Sequence, residues 1–404
     1  MLPPGSDCWP ELEPITVDQM RKALFTFPAT SAVGQTGLHP RQLQHLSDQA
    51  MLTLSLLFTA CEQQLGWPPD RLATILVRLP KPDGGTRLIG LLNTLVRIWG
   101  RARRAVSAGW LQQHKSQHSW GTGPGRSSSA SAFSLSLDNE IDVALGYRTV
   151  TLMTDLWKCF ELIDPSILMQ EARAVQYPPR MAWMLIQAYR QPRTSRAHGS
   201  ASKFFTSDQG IFAGCSHATT ILEALLYRAM RRLSARCPTI TPRQLVDDIS
   251  LRWAGTAELC AEEVGEAADE ACEALENLTL PVQVKKLGYV ASNASTEKLL
   301  RGTANRRCIA KRRWMRNLGH ELTTAKPQRQ QEAERMKALR SRVRRLHILK
   351  KAAGTRRLAR IQSTGLTPSV LHGAAVMGAA EHILRPVSTL AGALAGAKAT
   401  SSLT

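Results

Sequence analysis

Acidic residues are scarce in this chain of 404: 32 Asp and Glu stand against 52 Lys and Arg, a formal net charge of +20. The simplest account of that imbalance is a polyanionic partner, because Lys and Arg displace condensed counterions from a phosphate backbone. Cysteine is also sparse. Cys8, Cys61, Cys159, Cys215, Cys237, Cys260, Cys272 and Cys308 form no CxxC pair and no Cys/His cluster of zinc spacing, which excludes a zinc knuckle. Scattered thiols of this kind are expected to be reduced, in an intracellular protein of the nucleus or cytoplasm. No run of about 20 uninterrupted apolar residues occurs, so no membrane span is expected. Met1-Leu2-Pro3-Pro4-Gly5 lacks the charged and apolar regions of a signal peptide. Gly121-Thr122-Gly123-Pro124-Gly125 has glycines without the Lys-Ser/Thr ending of a P-loop, and reads as a plain loop. No internal repeat is visible.

What is present is a globular composition, 43% hydrophobic and 21% charged, in a chain long enough for two or three domains. The positive charge is concentrated: residues 301–360 hold 20 Lys and Arg against 3 Glu. Apolar spacing predicts helices over 16–65. One of them starts at His39-Pro40, carries Leu43, Leu46, Ala50, Leu54, Leu57 and Cys61, and stops at Gly66-Trp67-Pro68-Pro69. Strands at Thr74–Leu79 and Thr86–Leu92 flank Pro80-Lys81-Pro82-Asp83-Gly84-Gly85, whose turn chemistry predicts a hairpin. Helices are expected over 94–113 and up to Leu145, then a buried strand at Thr149–Met153 and helices over 166–176 and 180–189. A strand near Phe204–Thr206 leads to a glycine loop at Gln209–Ser216 and a long helix ending near Arg236. The helix over 257–277 has eight acidic residues and no basic ones, and reads as solvent-facing. A strand at Val282–Val290, a basic helix over 328–351 and a helix over 368–384 follow. The nine dispersed tryptophans are expected in the core, His217 at a helix start, and Thr389–Thr404 frayed.

Three of the few acids stand where chemistry would need them. Asp155 closes an apolar strand, and Asp247-Asp248 form a pair between the apolar runs Leu245-Val246 and Ile249. Hard Mg²⁺ takes oxygen ligands and is commonly held by one or two carboxylates plus substrate phosphates. Two such ions about 3.5–4 Å apart can clamp both oxygens of an in-line phosphoryl displacement. Crowded carboxylates repel and raise one another's pKa, so a cation is their natural partner. In so basic a chain, the polyphosphate that fits is a nucleotide being added to nucleic acid.

A series of segments then resembles a reverse transcriptase, nearest the non-LTR retrotransposon and group II intron type, over residues 34–375. Gly34-Gln35-Thr36-Gly37-Leu38-His39-Pro40 resembles the segment before the fingers of the non-LTR type. Leu79-Pro80-Lys81-Pro82-Asp83-Gly84-Gly85-Thr86-Arg87 resembles the fingers hairpin, which implies that Lys81 and Arg87 grip the incoming triphosphate. Asp155-Leu156-Trp157-Lys158-Cys159-Phe160 resembles the first palm motif: Asp155 and the Leu156 carbonyl would hold metal, and the Phe160 ring would exclude a ribose 2′-OH. Gln209-Gly210-Ile211-Phe212-Ala213-Gly214 resembles the second, with Gly210 and Gly214 letting backbone approach the nucleotide; Ala213 replaces the usual Gln. Leu245-Val246-Asp247-Asp248 resembles the third, with Leu245 where an aromatic is common, Asp247 as metal ligand and Asp248 in support. Leu280-Pro281-Val282-Gln283-Val284-Lys285-Lys286 resembles the fourth, in which Lys286 would protonate departing pyrophosphate. Arg316-Asn317-Leu318-Gly319 matches the palm–thumb junction.

The resemblance implies an α+β right-hand polymerase: N-terminal extension and fingers over 1–145, a palm with a split βαβ sheet over 146–300, a basic helical thumb over 301–388, and a disordered tail over 389–404. It implies an RNA-directed DNA polymerase using two Mg²⁺ ions, with Mn²⁺ as an alternative, on an RNA template, a DNA primer and deoxynucleoside triphosphates. The rivals are a decayed element that binds RNA without polymerising, and an RNA-dependent RNA polymerase. Endonuclease and RNase H parts would be encoded elsewhere, or the chain would be a fragment of a mobile element.

Overall fold

Thr16 opens the first helix by a capping box: its hydroxyl accepts from Gln19 N at 3.2 Å while the Gln19 side chain accepts from Thr16 N at 2.9 Å. The computed structural model describes residues 5–68, 73–81, 84–114, 118, 119, 121, 125–197, 199–256, 260–303, 309–323 and 329–395. Expectations for Pro69, Pro82, Asp83, Thr122–Pro124, Cys308 and 396–404 lie outside these residues.

Helix α1 (Val17–Phe25) is followed by a 3₁₀ turn at Pro40–His45 and by α2 (Asp48–Gln63). A single helix from Pro40 was expected. Leu46 is instead extended, with φ −65° and ψ 143°, and Ser47 caps α2 by accepting from Ala50 N. The expected helix over 94–113 is also two, α3 (Thr94–Ala102) and α4 (Arg104–Gln113). The break is at Arg103, whose guanidinium turns inward to Glu62 at the end of α2. Both side chains are buried, and Glu62 also accepts from Trp99 Nε1 at 2.6 Å. Arg103 donates in addition to Glu13 O, and Arg180 donates to Glu62 O, Trp9 O and Pro10 O. The N-terminal segment is thereby stitched to these helices through the Arg103 and Arg180 guanidinium groups.

The hairpin β1 (Thr74–Pro80) and β2 (Thr86–Leu91) is as expected. Helix α5 (Ser128–Ala144) leads to β3 (Arg148–Asp155), then to α6 (Cys159–Leu162), α7 (Pro165–Ala174) and α8 (Pro179–Tyr189). No strand forms at Phe204–Thr206: Phe205 makes only an isolated bridge to Arg193. The strands lie earlier, β4 (Arg193–Ala197) running parallel to β1 and β5 (Ser200–Ala201) antiparallel to β4. Helix α9 (Ala218–Arg236) precedes β6 (Ile240–Leu245), β7 (Asp248–Gly255) and α10 (Cys260–Glu276). The acidic helix α10 is amphipathic, with Val264, Ala267, Ala268, Ala271 and Leu275 in the main core. The strand expected over Val282–Val290 shrinks to β8 (Gly288–Ala291), because Val284–Lys286 forms a 3₁₀ turn.

Helix α11 (Ala294–Thr303), β9 (Ala310–Lys311) and the hairpin of β10 (Met315–Asn317) and β11 (His320–Leu322) complete this part. The five-stranded sheet has the order β6-β7-β3-β8-β9, with β3 between β7 and β8 and antiparallel to both. Alternation along β3 fills both faces of the sheet. Val150 and Leu152 join the main core with Ile249, Leu251 and Trp253, on the side of α10. Met153 packs with Leu135 of α5, Val290, Met315 and Leu322 on the other. On that second face Arg252 binds Asn139 Oδ1 at 2.9 Å and the Asp142 carboxylate, and Arg243 pairs with Asp138. One apolar cluster runs from Trp9 to Leu300, without a break near residue 145.

The basic helix α12 (Gln330–Ala353) begins where expected, and Glu321 of β11 caps it by accepting from Arg329 N and Gln330 N. Beyond it come α13 (Thr355–Ile361), a π turn, α14 (Thr367–Leu371), α15 (Ala374–Met377) and α16 (Glu381–Ala395). The single helix expected over 368–384 is interrupted at Gly373 and Gly378, both at positive φ, and α16 continues through part of the segment expected to fray. These helices bury a core of their own: Met336, Leu339, Leu346, Leu358, Leu366, Val370, Ile383 and Val387. Lys337, Arg340, Arg342 and Arg345 remain exposed on α12. Among the described residues, no helix is long and apolar enough to cross a membrane.

The buried ion pair yields a stability test. Glu62→Ala leaves the Arg103 charge buried without its partner and should cost about 3–5 kcal/mol. Denaturant unfolding should show a lower midpoint at unchanged slope; a loss under about 1 kcal/mol would mean that the pair does not anchor these helices.

Candidate active site

Strands β3 and β7 pair from Arg148↔Gly255 to Asp155↔Asp248, so the last residue of one lies opposite the first of the other. Directly opposed residues on one face of a sheet have Cβ atoms about 4.5–5.5 Å apart. Asp247 lies in the two-residue turn between β6 and β7. Its neighbour Val246 has φ +59°, a left-handed conformation that a β-branched residue resists. The turn is held by Gln244, whose side chain donates to Val246 O at 3.3 Å and whose own N–H donates to His118 O at 2.7 Å. The structure therefore gathers Asp155, Asp247 and Asp248 at one end of the sheet, all three half-buried.

The chain then brings a lysine to them. Gln283 N donates to Asp155 O at 2.8 Å, Trp157 N donates to Pro281 O at 2.9 Å, and Leu156 bridges Val282. This short ladder continues into the 3₁₀ turn and sets Lys286 Nζ 2.5 Å from Asp155 Oδ2. Leu156 itself is buried in the core. Burial pushes the Asp248 carboxyl up to about 7, with repulsion from Asp247 and Asp155 adding to it and Lys286 and Arg316 opposing it. Asp247 is raised too, by burial and then by Asp155, against the cations of Lys286 and Arg87. The buried Cys159 thiol is driven up by burial and by the same acids.

Arg87 is thus the hairpin cation whose field reaches the carboxylates, while Lys81 stands exposed at the turn, its N–H donating to Gly85 O. What fixes the hairpin there is a close approach: a Cβ on Gly90 of β2 would fall 2.3 Å from the Phe212 ring. Phe212 belongs to the glycine loop, and the loop is tied to the segment after Asp155. Ile211 N donates to Phe160 O at 2.7 Å and Gly210 N to Ile163 O at 2.8 Å. Gly210 has φ +87°, and a Cβ there would meet Glu161 O at 2.8 Å, so only glycine fits. Phe160 is half-buried against the core, Ala213 is half-buried, and Gly214 is exposed at φ +98° beside Ile89. Trp157, next to Asp155, is exposed, unlike the buried Trp9, Trp67, Trp99, Trp110 and Trp253.

His217 sits at the start of α9 as expected, but as a buried brace: Nε2–H donates to Gly100 O at 2.6 Å and Nδ1 accepts from the Ser107 hydroxyl at 2.8 Å. Sequence reasoning placed Arg316 only at a junction; its charge also helps to offset the rise at Asp248. The role of Gly90 was missed, and Val246 was read only as part of an apolar run, since neither the close approach nor the left-handed backbone has a local signature.

The donor set suits a hard divalent ion, being all oxygen, and at Asp248 burial together with repulsion from the other two acids outweighs the neighbouring cations. Among the described residues no group of three or more His, Cys, Asp or Glu, the three aspartates included, is arranged to hold a metal ion by itself. The raised Asp248 carboxyl gives a testable consequence. An acid raised in the folded state loses stability as pH rises from its ordinary value through the raised one. Asp248→Asn should therefore stabilise the metal-free protein by about 1–3 kcal/mol above pH 7, and not at pH 4. Melting curves with and without Mg²⁺ should show the gain shrinking as metal is added; a destabilised variant at high pH would refute the repulsion.

A family model described as reverse transcriptase (RNA-dependent DNA polymerase) matches residues 79–322, more than half of the chain and all of the elements that build this site. No curated protein matches the chain significantly.

Proposed function

The chain belongs to the reverse transcriptase family, a family of nucleotidyltransferases, and from that premise we propose how its residues divide the work of adding a deoxynucleotide to a primer 3′-OH on an RNA template. The observation that carries the proposal is the register pair Asp155↔Asp248, with Asp247 in the adjoining turn. Asp155, Asp247 and the Leu156 carbonyl would hold two Mg²⁺ ions, with Asp248 in support. Bound there, the metal would supply charge stabilisation to an in-line phosphoryl displacement.

The remaining work falls to the chain's own side chains. Arg87 meets the triphosphate with a planar fork that matches two phosphate oxygens, and Lys81 adds a point charge from the turn. Lys286 protonates the departing pyrophosphate, a role supported by its ion pair with Asp155. Phe160 blocks the ribose 2′-OH, supported by its place on the short helix directly after Asp155. Gly210 and Gly214 keep the second loop free of side chains where backbone approaches the nucleotide. The blocks 1–145, 146–300 and 301–388 would act as fingers, palm and thumb, the last tracking the template–primer backbone through the exposed bases of α12. Non-LTR origin is supported by the 34–40 segment, which docks on the start of α3 through Thr94 Oγ1 donating to Leu38 O at 3.0 Å.

Primer extension on an RNA template with Mg²⁺ tests this assignment. Asp155→Asn and Asp247→Asn should abolish extension, and Lys286→Ala should slow it by about 10²–10⁴-fold. Phe160→Val should admit ribonucleotides while keeping extension with deoxynucleotides. No extension by wild type, with salt-sensitive RNA binding retained, would favour a decayed element. Efficient ribonucleotide incorporation by wild type would favour an RNA polymerase and remove the role given to Phe160.

A further inference from the structure

Helix α9 starts at the glycine loop and carries its arginines at the other end. Ala218 to Arg231 spans thirteen residues, or roughly 20 Å along the axis. There a cleft of about 540 Å³ opens between the end of α4, the turn after α7 and the outer face of α9, lined by His114, Gln176, Tyr227, Arg228, Arg231 and Arg232. Its floor is a set of fixed rings. Trp110 is buried and donates from Nε1 to Val175 O at 2.9 Å. The His114 ring stacks on it at 4.5 Å and 16°, and Tyr227 meets His114 edge-on at 5.5 Å. Its rim is cationic. Arg228 reaches Glu171 at 3.3 Å, whereas Arg231 extends over the Tyr227 ring at 5.8 Å and Arg232 is exposed beside it. Three guanidinium groups against one carboxylate leave the cleft positive.

We propose that this cleft is a second binding site for single-stranded RNA, outside the carboxylate site, with phosphates on Arg231 and Arg232 and a base against the Tyr227–His114 surface. A guanidinium fork matches phosphate oxygens, and a flat ring face receives any base, which together give sequence-tolerant single-strand binding. An acidic protein surface would use the arginines and leave the rings idle. The proposal goes beyond the polymerising site, and its test reads binding, so loss of nucleotide addition would leave it standing.

The full-length protein is mixed with a fluorescein-labelled oligouridine carrying thiouridine, and crosslinks are mapped by mass spectrometry. Wild type should crosslink at Tyr227 or His114. The variant Arg231→Glu/Arg232→Glu should lose that crosslink while melting at an unchanged temperature. Its affinity should fall about tenfold, and the slope of log affinity against log salt should decrease by about 1.4, or 0.7 for each of two phosphates. Absence of any crosslink in the cleft, or an unchanged salt slope in the variant, would overturn the proposal. A variant that changes only the sedimentation of the protein would overturn it too, in favour of a contact between copies through the acidic face of α10.

Discussion

Everything at the site depends on the registry between β3 and β7. Side chains alternate across a strand, so a slip of one residue would send Asp248 to the opposite face and put Ile249 beside Asp155. The register is over-determined on both faces. Trp253, Leu251 and Ile249 fit the core under α10, while Arg252 binds Asn139 and Asp142 on the polar side of α5. Arg252 cannot move to the apolar face without burying an unpaired charge. The acids meet because the residues behind them, which never touch substrate, permit a single alignment.

A second constraint gears the glycine loop and the first hairpin together. The glycine loop hangs on the Phe160 and Ile163 carbonyls, and its Phe212 fills the space over Gly90 in the hairpin. Arg87 is two strand positions along from Ile89 and three from Gly90. The position of this cation relative to Asp247 is thus set by apolar contact rather than by attraction alone. Lys286 is placed by backbone bonds on the other flank, and Arg316 by the packing of Met315 against Met153. Positive charge reaches the acids from three separate directions.

Much of this was legible in the sequence because the signals were local. A buried apolar run ended in Asp155, Asp247-Asp248 lay in a tight turn, and the proline–glycine turn of the first hairpin announced itself. What could not be read was tertiary. Glu62 looks like a solvated helix end, yet it is buried under Arg103 and Trp99 and breaks an otherwise continuous helix. The polar segment Arg193–Ala197 has little strand character and becomes one by pairing with β1. Gly288–Ala291 is shorter than its apolar pattern suggested because the 3₁₀ turn delivering Lys286 takes residues from the strand. Arg316 acquires its neighbours only when β10 packs beside β8 and sets Met315 against Met153 and Val290.

The unbroken apolar cluster from Trp9 to Leu300 carries a consequence for how such a protein can change over generations. Regions that face different parts of a substrate are usually thought of as exchangeable modules, recombined without harm to one another. Here the N-terminal helices and the acid-bearing sheet rise and fall in stability as a unit, so a lesion in α1 or α2 is felt where nucleotides are handled. The C-terminal helices, with an interior of their own, are the part of this lineage freest to drift.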